Sequence, residues 1–404
     1  MRIPYRQLAP MLLATVASAF LVACGSDDRP AGQTVDGEGA RAGRATTTAS
    51  ASHAVRTNAA MLAVVRQLST AEQAGQLIMT KLEGQSLSPA DRAAIERQHL
   101  GGVILFGYNY SSREQLRDML VDVQRAGQAG NRKHVGMLVS IDQEGGAIRR
   151  LADLPPEESQ VQLAAVGDIA AARRAGASAG RALGSVGINL NLAPVADLAL
   201  PPERTMAHRS FGADPDQVGR FVGAAVLGIE GAGVSAAVKH FPGFGGATAN
   251  SDDAVARVTR SRAELNDDLV PFAAAVAADV DAVMVSHAIY PALGATLPAT
   301  IAPQVIEPIL RNQLGYEGVA MTDSMNAKGL RGAWRGTVPQ ACVEAVVNGI
   351  DLVLLTGSME TARLCRQRIV DAVESGRISQ ERLETAVLRV LELKRKHQLV
   401  ALPR

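Results

Sequence analysis

The sequence predicts an α/β protein whose main part is a single (β/α)8 barrel of the TIM type. Eight short apolar runs alternate with longer stretches of helical periodicity, and eight is the number of strands that a closed parallel barrel needs. The runs are nearly continuous in Val, Ile, Leu and Ala, as in strands that are covered on both faces. They extend over Gln76 to Thr80, Gly101 to Phe106, Met137 to Asp142, Ile188 to Val195, Val234 to His240, Asp281 to His287, Gly318 to Asp323 and Asp351 to Leu355.

The intervening segments predict the crossover helices of such a barrel. Their apolar residues recur at spacings of three and four, the pattern of a helix with one buried face. The segments include Pro89 to Gln98, Ser112 to Ala129, Pro215 to Gly231, Arg262 to Ala278 and Gln340 to Asn348, with a final amphipathic helix from Ser379 to Gln398. The rival fold, a doubly wound open sheet, lacks its usual Gly-rich dinucleotide or phosphate loop after the first strand.

The N-terminus predicts an export signal, which we place at residues 1–23. Arg2 and Arg6 give a positive start, and the apolar run that follows to Val22 is too short for a comfortable membrane span. The run ends in Leu21-Val22-Ala23-Cys24, which resembles the bacterial lipobox. That resemblance implies that Cys24 becomes the lipid-modified first residue of a membrane-anchored, extracytoplasmic lipoprotein. An ordinary secretory signal with a chance cysteine is the alternative.

Residues 24–59 predict a flexible tether, and residues 60–404 the barrel domain. The tether consists mostly of small and polar residues, so it cannot bury enough surface to offset the chain entropy lost on folding. The two remaining cysteines, Cys342 and Cys365, lie in apolar helical patterns that predict buried thiols. An oxidising compartment permits a disulfide between them, but their spacing alone does not argue for one.

Composition excludes several classes of partner. The formal net charge is +1 with acids and bases interspersed, so we expect no nucleic-acid surface and no membrane contact beyond the lipid on Cys24. The histidines form neither a His-x-x-x-His pair nor a His/Cys cluster, so no metal site is predicted and no cofactor is implied. Aromatic residues make up only 3% of the chain, which favours a pocket for a small ligand over a surface that grips a long polymer by stacking.

Polar residues cluster where the predicted strands end. Asp142 ends the third strand, Asp197 follows the fourth, and the fifth, sixth and seventh end in Lys239-His240, Ser286-His287 and Asp323. In a (β/α)8 barrel the carboxyl ends of the strands converge on one mouth, where active sites are built. A single polar residue at a strand end is often structural, but five strands with the same feature predict a functional site.

Three motifs carry a resemblance to glycoside hydrolase family 3, specifically its bacterial β-N-acetylhexosaminidase branch. They are Asp142-Gln143-Glu144-Gly145-Gly146 with Arg150 downstream, Lys239-His240-Phe241-Pro242-Gly243, and Gly318-Val319-Ala320-Met321-Thr322-Asp323. The similarity covers nearly all of the chain after the tether. It implies that Asp323 is the nucleophile. It also implies that the sugar is held by Asp142, Arg150, Arg209, Lys239 and His240.

The sequence departs from that family pattern in the loop after Lys-His-Phe-Pro-Gly. Members of the branch carry there an Asp-Ser-His triplet whose His is the general acid/base, whereas this chain reads Asn250-Ser251-Asp252, with Phe244 at another position where His is common. Three explanations are open. Asp252 transfers the proton itself with a pKa raised by an apolar setting or a neighbouring acid such as Asp253; the loop has lost its acid/base; or the protein binds sugar without turnover.

The resemblance implies a retaining exo-β-N-acetylglucosaminidase that acts through a covalent intermediate on Asp323, with Asp252 as acid/base. Its expected substrates are short β-linked glycans with a terminal N-acetylglucosamine, such as peptidoglycan fragments (muropeptides). The alternatives are a non-catalytic sugar-binding lipoprotein, a β-glucosidase, and a phosphorylase in which phosphate replaces water in the second step. Most β-glucosidases of this family carry extra domains, which the length of this chain argues against.

Overall fold

The structure is a computed structural model that describes residues 59–202 and 206–402. Its main sheet has eight parallel strands in the order β10-β1-β2-β3-β6-β7-β8-β9, and a parallel bridge between Met321 and Leu352 joins the two edges. The strands are β1 Ile78–Lys81, β2 Gly102–Leu105, β3 Leu138–Ile141, β6 Leu190–Asn191, β7 Ser235–Phe241, β8 Ala282–Val285, β9 Val319–Thr322 and β10 Val353–Leu355. The predicted (β/α)8 barrel is therefore confirmed, and an open doubly wound sheet is excluded.

The helices surround this barrel and lead from each strand to the next. They are α1 over 59–67, α2 Thr70–Gln76, α3 Pro89–Gln98, α4 Arg113–Ala129, α5 Gln160–Val166, α6 Ile169–Ser185, α7 Pro215–Gly231, α8 Arg262–Ala277, α9 Lys328–Ala333, α10 Val338–Val347, α11 Met359–Glu374 and α12 Gln380–Lys396. Ser112 and Ser379, where two helices were predicted to begin, are N-caps whose side chains accept backbone N–H bonds of the first turn. No helix of the described ranges is long and apolar enough to cross a membrane.

Three local features differ from the sequence-based expectation or were not foreseen. Residues of the Asp-Gln-Glu-Gly-Gly motif form a small antiparallel hairpin, β4 Gln143–Gly145 with β5 Ile148–Arg149. A π-helix, Ile306–Gln313, precedes β9. The fourth strand, Leu190–Asn191, is much shorter than the predicted run from Ile188 to Val195.

The expectation of two separate buried thiols is wrong. Cys342 and Cys365 are both fully buried, but a disulfide joins them, with their Cα atoms 5.8 Å apart. The two residues lie on α10 and α11, which pack against each other. Sequence spacing could not reveal this proximity, because it depends on how two consecutive helices pack after the intervening strand. The predicted signal peptide, Cys24 and nearly all of the predicted tether lie outside the described residues.

Candidate active site

A cavity of about 460 Å³ opens at the carboxyl ends of the strands. All seven residues that the sequence assigned to the site line it, although they come from five separate parts of the chain. They are Asp142, Arg150, Arg209, Lys239, His240, Asp252 and Asp323. The barrel brings them together because its parallel strands all end at the same mouth.

The floor of the cavity is a network of buried ion pairs around Lys239. Its ammonium group lies 2.6 Å from Asp142 Oδ1 and 2.8 Å from Glu144 Oε1, with only 2% of its side chain exposed. Arg209 binds Glu144 through two hydrogen bonds, Nε to Oε2 at 2.9 Å and Nη2 to Oε1 at 2.7 Å. These pairs fix the positions of charged groups that face the cavity.

The pKa values in this network follow from the pairing. Burial by itself raises the pKa of Glu144, but Lys239 and Arg209 outweigh burial and lower it to about 2. Burial likewise opposes the charge of Lys239, whose pKa is nevertheless raised by Asp142 and Glu144. All three groups of the Glu144 cluster therefore stay ionised near neutral pH. Sequence reasoning gave Glu144 no role, although it stands two residues after Asp142 in the quoted motif.

His240 is fixed by Asp197, which is completely buried. The Asp197 carboxylate accepts the backbone N–H groups of His240 and Phe244 at 3.0 and 2.7 Å, and its Oδ2 lies 2.6 Å from His240 Nδ1. Because a carboxylate accepts hydrogen bonds, Nδ1 carries a proton and Nε2 is left for contacts within the cavity. Asp197 is thus a positioning residue that the strand-end pattern detected but did not assign.

Asp323 stands at the end of β9, half-buried in the cavity. The Ser324 N–H donates to its Oδ1 at 2.6 Å. Burial acts to raise the pKa of Asp323, but His240, His287, the Ser324 N–H and Lys239 together lower it. Buried His287, whose own pKa burial lowers, donates from Nε2 to the Ser324 carbonyl at 2.8 Å and so holds the backbone beside Asp323. Asp323 is therefore kept as a carboxylate.

Asp252 reaches the cavity from the loop after β7 and is exposed at its rim. Its pKa is raised, first because the surrounding protein partly desolvates the carboxyl and second because of the negative charge of Asp323. The neighbouring acid that acts on Asp252 is therefore Asp323, whereas Asp253 forms an exposed ion pair with Lys328 at 3.5 Å. The same cavity thus lowers the pKa of Asp323 and raises the pKa of Asp252.

The Asp252 loop is fastened to α9, the short helix that follows Asp323. The N–H groups of Lys328 and Gly329 donate to the carbonyls of Asp252 and Ser251 at 3.2 and 2.9 Å. A Cβ atom at Gly329 would lie within 2.5 Å of Ser251 O and even closer to Ala254 O, so only glycine permits this approach. The segment after the nucleophile strand therefore positions the loop that carries Asp252.

Sequence reasoning missed four residues of the cavity, which belong to α9, to the turn before it and to the end of β10. Asn326, Lys328, Arg331 and Thr356 all line it. Asn326 Oδ1 accepts hydrogen bonds from the N–H groups of Thr356 and Gly357, which fixes the end of β10 relative to the end of β9. No signal at strand ends could mark Lys328 and Arg331, because they lie on a helix. In the described ranges no group of three or more His, Cys, Asp or Glu side chains could hold a metal ion.

Comparison with known proteins identifies the family. Residues 69–393 match the sequence profile described as the glycosyl hydrolase family 3 N terminal domain. The chain belongs to glycoside hydrolase family 3. It is 30% identical over 371 residues to beta-hexosaminidase A of Pseudoalteromonas piscicida, which covers 81% of this chain and 61% of that relative. It is 33% identical over 287 residues to a beta-hexosaminidase of Stenotrophomonas maltophilia (strain K279a), which covers 69% and 83%.

Solved structures of a beta-N-acetylglucosaminidase and a beta-N-acetylhexosaminidase share this fold. A glycoside hydrolase family 3 beta-N-acetylglucosaminidase from Paenibacillus sp. str. FPU-7 matches with a TM-score of 0.78 at 36% identity, over 82% of this chain and 63% of that one. A beta-N-acetylhexosaminidase from Beutenbergia cavernae DSM 12333 matches with a TM-score of 0.73 at 28% identity, over 81% and 99%. The chain therefore spans less than two thirds of some of these relatives and nearly all of another. The predicted family, including its bacterial β-N-acetylhexosaminidase branch, is confirmed.

Proposed function

We propose that this family 3 chain is a retaining exo-β-N-acetylglucosaminidase with Asp323 as nucleophile and Asp252 as acid/base. One observation carries the proposal: the two carboxyls share a cavity that lowers the pKa of Asp323 and raises that of Asp252. A retaining glycosidase needs such a difference, because one carboxyl must attack as an anion while the other holds a proton. A protein that only binds sugar has no need for it.

In the first step the Asp323 carboxylate attacks the anomeric carbon of the terminal sugar. The bond from that carbon to the glycosidic oxygen breaks, and Asp252 gives its proton to the departing oxygen. The sugar is left covalently bound to Asp323, and Asp252 is left as a carboxylate. Desolvation and the charge of Asp323 together had raised the pKa of Asp252, and loss of that charge removes the second of these causes, so Asp252 becomes ready to act as a base.

In the second step a water molecule replaces the released part of the substrate. Asp252 takes a proton from this water, whose oxygen attacks the anomeric carbon and breaks the bond to Asp323. Two displacements at one carbon restore its original configuration, and both carboxyls return to their starting states. Asp252 therefore fills the role that the missing loop His has in other members of the branch.

The remaining polar groups would hold the terminal sugar. Asp142 and Lys239 present a fixed pair of acceptor and donor to its hydroxyls, and Asp142 retains a second oxygen for this purpose. Arg150 has a buried Nε atom that finds no hydrogen-bond partner in the described structure, and the residue lines the cavity. A buried donor without a partner is costly, so a ligand hydroxyl that accepts from it is favoured. His240 Nε2 completes the set.

N-acetylglucosamine at the end of a short β-linked glycan is the proposed substrate. The relatives named above are beta-hexosaminidases and a beta-N-acetylglucosaminidase, and the solved structure of the latter shares the fold of this chain. The enclosed volume suits one sugar with part of the next, which supports removal of single terminal residues. Fragments of peptidoglycan contain this sugar in β-linkage and are the natural substrates that we propose.

The test compares two leaving groups. The full chain, Asp323→Asn and Asp252→Asn are assayed on 4-nitrophenyl N-acetyl-β-glucosaminide and on a natural disaccharide. Asp323→Asn should lose both activities, while Asp252→Asn should lose about 10²- to 10⁴-fold on the disaccharide and much less on the nitrophenyl substrate, whose leaving group needs no proton.

Asp253→Asn is the matched control, because Asp253 is the adjacent carboxylate but does not line the cavity. Its activity should stay within about twofold of the wild type, as for most surface substitutions. Equal, slow release by the wild type and both active-site variants would instead support the sugar-binding lipoprotein.

We also propose that Cys24 carries a lipid that anchors the enzyme outside the cytoplasm. The proposal rests on the charged start, the apolar run and Leu21-Val22-Ala23-Cys24. Mass spectrometry of the mature protein should find diacylglycerol on an N-terminal Cys24. The Cys24→Ser variant should no longer be found in the membrane fraction. An unmodified Cys24, or cleavage at another residue, would contradict the anchor.

A further inference from the structure

We propose that Lys328 and Arg331 form a subsite for a carboxylate carried by the sugar next to the scissile bond. The inference rests on the proposed function, because it specifies which residues bind the second sugar of the same substrate. Its central observation is a pair of cations at the rim of the cavity. Both residues line the cavity, both are exposed, and they stand three positions apart on α9. Residues at this spacing lie on the same side of a helix.

The position of the second sugar follows from Asp252. As acid/base, Asp252 must lie within hydrogen-bond reach of the oxygen that joins the two sugars. Its backbone carbonyl accepts the Lys328 N–H at 3.2 Å, so α9 begins beside this oxygen. The terminal sugar occupies the floor with Asp142 and Lys239. The next sugar must therefore extend outward past Asp252, along the side of α9 that bears the two cations.

The charges at the floor and at the rim differ in their pairing. Lys239 is bound to Asp142 and Glu144, and Arg209 is bound to Glu144, so the cations at the floor are already compensated. At the rim, Lys328 has one loose and exposed ion pair with Asp253. Arg331 has no ion pair within the part of the chain that the structure describes. The rim thus offers cations that a ligand can bind.

The reacting state of the enzyme increases this preference for an anion. Five cationic side chains and four carboxyls line the cavity. When Asp252 holds the proton that it will donate, three carboxylates face these five cations. A negative group on the incoming substrate therefore reduces the excess positive charge.

The carboxylate chemistry matches one class of substrate. In a peptidoglycan fragment the sugar that follows N-acetylglucosamine carries a lactyl ether, which ends in a carboxylate when no peptide is attached. A guanidinium group binds a carboxylate through two parallel hydrogen bonds, and an ammonium group adds a point charge. The rim is thus suited to a muramyl residue rather than to a second, neutral N-acetylglucosamine. Inorganic phosphate is the other anion that such cations could hold.

The experiment compares two disaccharides that differ in the lactyl group alone. GlcNAc-β-1,4-MurNAc and GlcNAc-β-1,4-GlcNAc are given to the full-length protein, and the ratio of their kcat/KM values is measured. We expect the muramyl substrate to be preferred about three- to tenfold at low salt, in line with one or two exposed charge contacts, and less at high salt. Arg331→Gln and Lys328→Gln should each reduce the ratio, and the double variant should bring it near one. Arg335→Gln, an exposed arginine that does not line this cavity, should leave it unchanged.

Other outcomes separate the possible failures. A wild-type ratio near one, or a ratio that survives in the double variant, would overturn the subsite while leaving the glycosidase proposal intact. An absence of activity on both disaccharides and on the nitrophenyl substrate would instead overturn the proposed function. Addition of inorganic phosphate is the second arm. If phosphate speeds turnover and the product becomes a sugar 1-phosphate, the rim cations bind phosphate and the carboxylate assignment is wrong.

Discussion

The two ends of the barrel both contain buried charges, but they differ in how completely those charges are paired. At the amino end of the strands, Asp351 is fully buried and its carboxylate receives Arg311 at 2.7 Å, Arg382 at 3.1 Å and Arg389 at 3.5 Å. At the mouth, the described part of the chain provides the Asp323 carboxylate with a backbone N–H and no ion pair. Asp252 is exposed at the cavity rim, and the buried Arg150 Nε has no hydrogen-bond partner there. Buried charged groups alone therefore do not mark a functional site. A functional site is marked by charged groups that remain available to bind a ligand.

The first way to test this contrast is Asp323→Asn. We expect kcat/KM to fall by at least about 10³-fold, because a nucleophile of covalent catalysis has no substitute in the cavity. The melting temperature should stay the same or rise, since an active-site charge is commonly held at a cost in stability. Calorimetry and initial rates on one preparation measure both. A large fall in the melting temperature would mean that Asp323 is a structural residue.

Asp351→Asn should show the opposite behaviour. Removing one partner of a buried ion pair costs about 3–5 kcal/mol of unfolding free energy, and here three arginines would lose their acceptor. The activity of the folded fraction should change little. Chemical denaturation measures the loss, and Asp371→Asn is the control, because the Asp371–Arg368 pair at 3.8 Å is solvent-exposed and worth about 1 kcal/mol or less. Similar losses in the two variants would contradict the structural role of Asp351.

Gly329→Ala tests the link between α9 and the Asp252 loop. The added Cβ would push the loop away, and a displacement of about 1 Å at a reacting group can cost about 10²-fold in rate. We expect a loss of about 10- to 100-fold on the disaccharide and a much smaller loss on the nitrophenyl substrate. Gly231→Ala is the matched helical control, since a Cβ there meets nothing within 4 Å. Equal losses on both substrates would show that the loop does not position the acid.

The pH dependence should report the environment of Asp252. Activity on the disaccharide requires protonated Asp252, so it should decline as the pH rises through the raised pKa of this residue. The acidic limb of the pH–activity profile should reflect protonation of Asp323, whose pKa is lowered. Asp252→His, which restores the residue type usual in the branch, should move the alkaline limb to higher pH, because an imidazole has an ordinary pKa of about 6.5. An unchanged alkaline limb would show that Asp252 is not the general acid/base.

Much of the fold could be predicted because its signals are local. All eight strands were predicted from apolar runs, and α3 and α7 have the predicted bounds, since capping residues and Pro in the first turn mark where helices begin. The lengths of short strands and the Cys342–Cys365 disulfide could not be predicted, because both depend on contacts between segments that are distant in sequence.

The site was predictable to the extent that its residues stand at strand ends. Asp142, Lys239, His240 and Asp323 follow that rule. Arg150, Arg209 and Asp252 came from the resemblance to family 3 alone. The partners that set the pKa values did not appear in the sequence pattern, because Glu144 meets Lys239 and Arg209 only after the barrel has closed.

The most direct test of the account is to trap the sugar on the enzyme. In Asp252→Gly the nitrophenyl substrate should still react with Asp323, but hydrolysis of the intermediate should be slow without a base. Mass spectrometry should then find one N-acetylhexosaminyl residue per protein, on the peptide that contains Asp323, and added azide should restore turnover with a β-linked glycosyl azide as product. No adduct, or an adduct on any other residue, would contradict the claim that Asp323 is the nucleophile.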